Sequence, residues 1–268
     1  MAGTGRIVAE SGVATVCQEA RCPNLTECWS HRTATFMILG DRCTRRCRFC
    51  AVTTARPDPP ATDEPHRLAE AVARLGLRHV VVTAVARDDL EDEGAGQFAA
   101  CVRAIRGRVP EASIEVLPAD LHARPECIAL ICDARPEVFN HNLETVERLT
   151  PIVRPQAEYR RSLAVLCHVK ERYPEMTTKS GLMVGLGESQ DELRQTLADL
   201  RTVGCDVVTI GQYLQPTPKH APIARFYEPA EFDELARVAE ALGFSGVASG
   251  PFVRSSYNAA EVFERAKR

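Results

Sequence analysis

Short apolar, β-branched runs alternate with amphipathic stretches along almost the whole chain, and this alternation limits the fold more than any other feature. The strand candidates are residues 33–39, 79–85, 113–117, 138–141, 181–184, 207–213 and 246–248. They are largely apolar, as parallel strands covered on both faces are. The clearest helical stretches between them are 64–75, 94–106, 125–133, 159–172, 189–203 and 229–242. Ser189-Gln-Asp-Glu192 has the form of a capping box, a hydroxyl followed three residues later by a carboxylate. Repeated βα units demand a parallel sheet with helical crossovers. Seven such strands predict an α/β fold, an open or partial (β/α) barrel, with a doubly wound sheet as the competing architecture. Either places ligands at the carboxyl ends of the strands.

A chain of 268 residues suits one large domain of this kind. Arg56-Pro-Asp-Pro-Pro60 reads as a rigid connection within it. With 33 basic and 36 acidic side chains, the chain lacks the basic excess of a dedicated nucleic-acid binder. It has no apolar run of about 18 residues for a membrane span. The opening Met1-Ala-Gly-Thr-Gly-Arg6 lacks the apolar core of a signal peptide. These features predict a cytoplasmic protein with neither a membrane nor a nucleic acid as partner. Thiols stay reduced in that compartment, so the eleven cysteines point to metal ligation before disulfides.

Cys43, Cys47 and Cys50 follow the first strand candidate in Cys43-Thr-Arg-Arg-Cys-Arg-Phe-Cys50. Three thiolates this close can hold three corners of a 4Fe–4S cluster, which normally takes four, and so leave one iron open to a small molecule. Zinc is the competing metal. Structural zinc favours paired Cys-x2-4-Cys units and catalytic zinc mixes in histidine; His31 is near, but no His-x3-5-His follows. Arg42, Arg45, Arg46 and Arg48 surround the cysteines, either as a solvated loop or as positive potential beside an anionic group. A second triplet, Cys17-x4-Cys22-x5-Cys28, suggests a second cluster that needs a fourth ligand from elsewhere. Cys101, Cys127, Cys132, Cys167 and Cys205 read as small buried hydrophobes. Arg154 and Lys179 read as ordinary surface cations.

With Phe49 before its last cysteine, the Cys43 triplet resembles the signature of radical S-adenosylmethionine (SAM) enzymes, whose usual fold is the partial (β/α) barrel. The Cys17–Trp29 segment is similar to the auxiliary-cluster motif of the lipoyl synthase family. So are Val82-Thr-Ala-Val-Ala-Arg-Asp-Asp-Leu90, Phe139-Asn-His-Asn-Leu-Glu-Thr-Val146, Gly181-Leu-Met-Val-Gly-Leu-Gly-Glu188, Gly211-Gln-Tyr-Leu-Gln-Pro-Thr217 and Arg254-Ser-Ser-Tyr257. These motifs run in order over nearly the whole chain. The chain departs from the family where Arg46 replaces the usual glycine, where Glu91-Asp-Glu-Gly94 replaces a more glycine-rich stretch, and in its short segment before Cys17.

The resemblance implies a radical SAM partial barrel over residues 33–250. It adds an N-terminal extension, 1–32, with the auxiliary-cluster cysteines, and a C-terminal segment, 251–268, with the Arg-Ser-Ser-Tyr motif, all forming one structural unit. It implies that Cys43, Cys47 and Cys50 hold a 4Fe–4S cluster whose open iron is chelated by the amino and carboxylate groups of SAM. Cys17, Cys22, Cys28 and a serine, Ser256 ahead of Ser255, then ligate a second 4Fe–4S cluster that is dismantled to supply sulfur. Arg254 holds the terminus or assists release of the serine. Thr83, Arg87, Asn140, Asn142, Gly185 and Glu188 are the implied SAM contacts, with a simple helix-start role competing for Asp88, the acidic neighbour of Arg87.

The implied reaction inserts two sulfur atoms at C6 and C8 of an octanoyl chain amide-linked to a lysine. Acid–base groups cannot attack such unactivated C–H bonds, whereas a cofactor-derived radical can. A sulfide held beside the chain captures the substrate radical by proximity. The implied partners are an octanoylated lipoyl carrier (an E2 subunit or the glycine-cleavage H protein), a low-potential electron donor such as ferredoxin or flavodoxin, and an iron–sulfur carrier protein. A methylthiotransferase acting on tRNA is the competing enzyme and would carry a basic RNA-binding appendage. A two-cluster electron carrier is the competing non-enzyme and would carry a compact Cys-x2-Cys-x2-Cys-x3-Cys-Pro run. Neither pattern is present in the sequence.

Overall fold

The computed structural model describes residues 2–19, 22, 24–30, 35–256 and 259–266, without the side chains of 2–4, 17, 28–30 and 265. The chain divides into two compact units, Met1–Arg45 with Ala51–Glu137, and Arg46–Cys50 with Val138–Arg268.

The first unit comprises α1 (Ala2–Ser11), β1 (Ala14–Thr15), α2 (Val16–Glu19), α3 (Leu25–Ser30), β2 (Thr35–Ile38), β3 (Arg42–Cys43), β4 (Thr53–Thr54), α4 (Glu64–Leu75), β5 (His79–Ala84), α5 (Ala95–Arg108), β6 (Ser113–Leu117) and α6 (Pro125–Cys132). Strands β2, β5 and β6 are parallel neighbours, with β1 antiparallel to β2. Alternate strand residues Phe36, Ile38, Val80, Val82, Ile114 and Val116 are fully buried, as are Leu68 and Val72 of α4 and Val102 and Ile105 of α5. Burying each such side chain contributes roughly 1.5–3 kcal/mol. Helix α4 is set by local chemistry. Pro65 fills a first-turn position that needs no N–H, and Gly76 ends the helix at φ 63°, where glycine carries no Cβ penalty.

The second unit comprises β7 (Val138–Asn140), α7 (Thr150–Val153), α8 (Tyr159–Arg172), β8 (Thr177–Val184), α9 (Gln190–Thr202), β9 (Val207–Gln212), α10 (Pro229–Ala241), β10 (Gly246–Gly250) and α11 (Ala259–Ala266). Its strands run parallel in chain order. Leu182, Val184, Val208 and Ile210 pack in one core with Leu166 of α8, Leu197 and Leu200 of α9 and Leu235 of α10. Side chains alternate across a strand, so Lys179, Gly181, Thr209 and Gly211 take the face away from those helices. The predicted capping box forms at α9, where Ser189 Oγ accepts from the Glu192 amide at 3.2 Å and Glu192 accepts from the Ser189 amide at 2.8 Å.

Every predicted strand and helix is present within a few residues of its expected ends. The exception is the first half of β8, because Thr177-Thr-Lys-Ser180 reads as polar surface yet is pleated into the sheet. The reading of Arg154 and Lys179 as surface cations is corrected, since they are 7% and 2% exposed. Arg154 Nη1 donates to the carbonyls of Asn142, at 3.2 Å, and Leu143, at 2.9 Å, where the chain leaves the β7 ladder. These two carbonyls offset part of the cost of burying the guanidinium. Among the described residues no helix is long and apolar enough to cross a membrane.

Candidate active site

Cys43 ends β3, whose pairing with β4 closes the base of the cysteine loop. Its Sγ accepts hydrogen bonds from the amides of Ala86, at 3.3 Å, and Arg45, at 3.4 Å. Hydrogen bonds to a ligating sulfur are one of the levers that tune a cluster it holds. The Thr44 amide donates to the Ala86 carbonyl at 3.1 Å, so the segment after β5 grips the loop on both sides of the sulfur.

Arg45 anchors this grip. It is 6% exposed, and its guanidinium donates to Asp88 at 2.6 and 3.0 Å and to Asp120 at 2.7 Å. Thr44 Oγ1 donates to Asp88 Oδ2 at 2.7 Å. Burial alone would raise the Asp88 carboxyl, but the Arg45 and Thr44 hydrogen bonds hold it below the usual range. Asp120 opens an unusual turn in which Leu121, His122 and Ala123 all have left-handed backbones, at φ 47°, 45° and 53°. L-residues pay roughly 1–2 kcal/mol each for that conformation. The turn lets Asp120 accept from the His122 amide at 3.3 Å and brings His122 Nδ1 within 2.8 Å of Glu93. Asp88, Glu93 and His122 are spaced as metal ligands could be, yet Arg45 already supplies the cation they face.

Cys47 and Cys50 belong to the second unit. The Cys50 amide donates to the Cys47 carbonyl at 3.1 Å, and the Arg48 amide to Val153 O at 2.8 Å. The segment after β9 braces this turn. The Ala221 amide donates to Arg48 O at 2.8 Å, and His220 Nε2 donates to Cys50 O at 3.0 Å. A carbonyl only accepts, so Nε2 carries the proton; in the neutral ring Nδ1 then accepts from Thr217 Oγ1, 2.8 Å away. Phe49 packs against the second unit's core. Arg46 is exposed, lies outside the left-handed region, and donates its amide to Gln156 Oε1 at 2.9 Å. No glycine is needed at this position.

The predicted SAM contacts differ in what they have left to offer. In the first unit Thr83 Oγ1 donates to Leu117 O at 2.8 Å, and Arg87 clamps Asp89 at 2.8 and 2.9 Å. In the second unit Glu188 accepts from the amides of Gly185, at 2.6 Å, and Leu186, at 2.9 Å, and from Tyr227 Oη at 2.8 Å. Burial, then the Glu188 carboxylate, push the Tyr227 hydroxyl up to about 12. Gly185 has φ +99°, and a Cβ there would overlap Gln212 Nε2 and come within 2.6 Å of Arg225 O. The close approach at Gly185 is thus made by the chain itself. Asn140 is fully buried at the end of β7. Asn142 is 9% exposed; its Nδ2 donates to Glu144 at 3.0 Å, while its Oδ1 has no hydrogen-bond partner among the described residues. That oxygen lies over Gly181, 2.8 Å from where a Cβ would be. A buried acceptor left open is what a ligand donor completes.

Cys22 is half-buried, while the side chains of Cys17 and Cys28, together with His31 and Tyr257, lie outside the described residues. Arg254, Ser255 and Ser256 are half-buried in the turn after β10. Nothing local in the sequence marks the parts played by Asp120, His220 and Tyr227, whose partners Arg45, Cys50 and Glu188 lie 75, 170 and 39 residues away. The donor sets fit the implied groups: partly exposed thiols with amide support for a cluster, and an open buried acceptor for a polar cofactor.

Cys101, Cys127, Cys132 and Cys205 are at most 1% exposed, as expected of core thiols, whereas Cys167 is half-buried beside Glu171. Burial pushes Cys132 and Cys205 up to about 12 and raises Cys101 and Cys127 as well. Thiolates are the reactive form. Iodoacetamide at neutral pH should therefore label Cys43, Cys47 and Cys50 in the folded, metal-free protein and spare these four until urea is added. Mass spectrometry reads the outcome, and labelling of the four at the rate of the loop cysteines would contradict it.

Residues 37–200 match the Radical SAM superfamily. The solved structure of methylornithine synthase (PylB) shares the fold at a TM-score of 0.61 with 16% identity, over 76% of this chain and 61% of that one. The mostly parallel α/β architecture, predicted as a partial (β/α) barrel, is thus that of the radical SAM enzymes. Within that class the likeness is closer still. A lipoyl synthase from Rubrobacter xylanophilus is 56% identical over 95% of this chain and 79% of its own length. One from Halalkalibacterium halodurans is 53% identical over 99% of this chain and 88% of its own length. The chain belongs to the lipoyl synthase family. It is a radical SAM sulfur-inserting enzyme with 4Fe–4S clusters and SAM as cofactors, acting on a protein substrate with redox partners.

Proposed function

We propose that the enzyme converts a carrier-bound N6-octanoyl-lysine to lipoyl-lysine, with Cys43, Cys47 and Cys50 on the radical-forming cluster and Cys17, Cys22, Cys28 and Ser256 on the sulfur-donating one. The observation that carries the first assignment is the pair of amides on Cys43 Sγ, a cradle for a thiolate ligand. When bound, the clusters and SAM supply the hydrogen abstraction and the sulfur. The protein's part is placement. Asn142 Oδ1 accepts from a SAM amino or hydroxyl group, and Thr83 Oγ1 retains lone pairs for the same use. Asn140 and Gly185 line the same ends of their strands, Arg87 holds the loop after β5, and Glu188 holds the Gly185 loop in shape. A serine oxygen is a harder, weaker match for iron than a thiolate, which suits a cluster that must come apart. The carriers are a lipoyl E2 subunit or the glycine-cleavage H protein. Ferredoxin or flavodoxin supplies electrons, an iron–sulfur carrier rebuilds the donor cluster, and the setting is the cytoplasm.

Anaerobic reconstitution should give about eight irons per chain, four for each cubane. With SAM, a strong reductant and an octanoyl-lysine peptide, it should give lipoyl product. A Ser256→Ala variant should drop to about half the iron while still forming deoxyadenosine. Four irons in the unmodified protein, bound zinc, or deoxyadenosine without thiolated product would defeat the reading.

A further inference from the structure

We infer that Gly211 is a positioning residue for the donor cluster, because its missing side chain seats the turn that delivers Ser255 and Ser256. This rests on the serine-ligand reading above. Gly211 belongs to a motif to which the cofactor contacts assign no task. It lies on β9 with Met183 and Gly250 as its register partners. A Cβ at Gly211 would overlap the carbonyl oxygen of Val253, lie 3.0 Å from its carbonyl carbon and come within 3.2 Å of Arg254 Nη1. The first two atoms are backbone and cannot rotate aside. The Gly211 backbone itself is outside the left-handed region, so alanine is permitted there conformationally and the obstacle is contact alone.

The turn is fixed by its own bonds as well. The Val253 amide donates to Gly250 O at 3.1 Å. Arg254 Nη1 donates to Val253 O at 2.6 Å and to Pro251 O at 3.4 Å. A methyl at Gly211 enters where that guanidinium and carbonyl meet. Gly250 makes the contrast, since a Cβ there meets only Val253 Cγ2, at 3.4 Å, an ordinary contact. The serines follow Val253 by two and three residues, so displacing Val253 displaces them. Misplacing a reacting group by about 1 Å can cost roughly a hundredfold.

The test compares Gly211→Ala, Gly250→Ala and Ser256→Ala in the reconstituted enzyme. Iron content, deoxyadenosine, lipoyl product and amide exchange over residues 252–256 are read in each. Gly211→Ala should keep the radical-forming cluster and SAM cleavage, lose about half the iron, and lower product per deoxyadenosine at least tenfold. Its 252–256 amides should exchange faster, while Gly250→Ala stays near the unmodified enzyme. If Ser256→Ala keeps its iron, the ligand reading fails and the seat is judged by exchange alone. If Ser256→Ala loses iron while Gly211→Ala keeps both iron and slow exchange, the seat is overturned and the ligand reading stands. Should Gly211→Ala not fold, the unmodified enzyme decides: a Val253 amide exchanging as fast as free peptide overturns the seat, and a protected one upholds it.

Discussion

Replacing Arg45 by methionine should cost the metal-free protein about 3–5 kcal/mol of stability, the range for breaking a buried ion pair from one side. Methionine keeps most of the length and apolar volume, so the change isolates the charge. Asp120 is 0% exposed and cannot turn to water, and it would be left facing Asp88 and Glu93 without the guanidinium between them. Urea melts at pH 7 measure the loss, and a difference below about 1 kcal/mol, the scale of a surface ion pair, would sink the claim. Adding Asp120→Asn to the variant should recover part of it by removing the charge that Arg45 no longer balances.

The acid limb supplies a second check on Arg45. The Asp88 carboxyl is held low by Arg45 and Thr44 against the pull of burial. A depressed carboxylate stabilises the fold above its unfolded pKa of about 3.9, and that share is lost as pH falls through the folded value. With Arg45 gone the depression shrinks, so this share of the acid-side loss should flatten. The grip on Cys43 should slacken as well, seen as faster exchange of the Ala86 amide.

The cysteine loop was legible in the sequence because covalent spacing alone brings Cys43, Cys47 and Cys50 within a few residues. The strands and helices were legible because their apolar periods are local. What holds the loop was not. Arg45 stood out only as one of several arginines, and nothing local separates it, 6% exposed, from the exposed Arg46 beside it. Its partners lie 43 and 75 residues away, and His220 lies 170 residues from the Cys50 carbonyl it bonds. Lys179 shows the same limit, because a lysine in a polar-looking run gives no sign that its strand is interior. Nor does the motif around Glu188 reveal that its carboxylate accepts from its own loop and from Tyr227.

That loop sets up the second large effect. Gly185→Ala should destabilise the protein by about 2–6 kcal/mol, from backbone strain together with overpacking. Gly185 and Gly187 both have φ values closed to side chains, +99° and +106°. They differ in what a methyl would meet. At Gly187 it finds only Ala224 Cβ, at 3.8 Å, whereas at Gly185 it finds the Gln212 amide and the Arg225 carbonyl. Neither neighbour can yield cheaply. Gln212 Nε2 donates to Tyr213 O at 3.1 Å and to Arg225 O at 3.2 Å, and its Oε1 accepts from the Tyr227 amide at 3.0 Å. Gly187→Ala should therefore show the strain alone, about 1–3 kcal/mol, and Gly185→Ala should exceed it by the overpacking contribution. The two melts measured side by side separate contact from conformation. Equal losses would mean that the 225–227 segment moves aside freely. A larger loss at Gly185, with weakened SAM binding by calorimetry, would mean that the loop's shape is set from behind by Gln212 and Tyr227, and that SAM meets a surface already built.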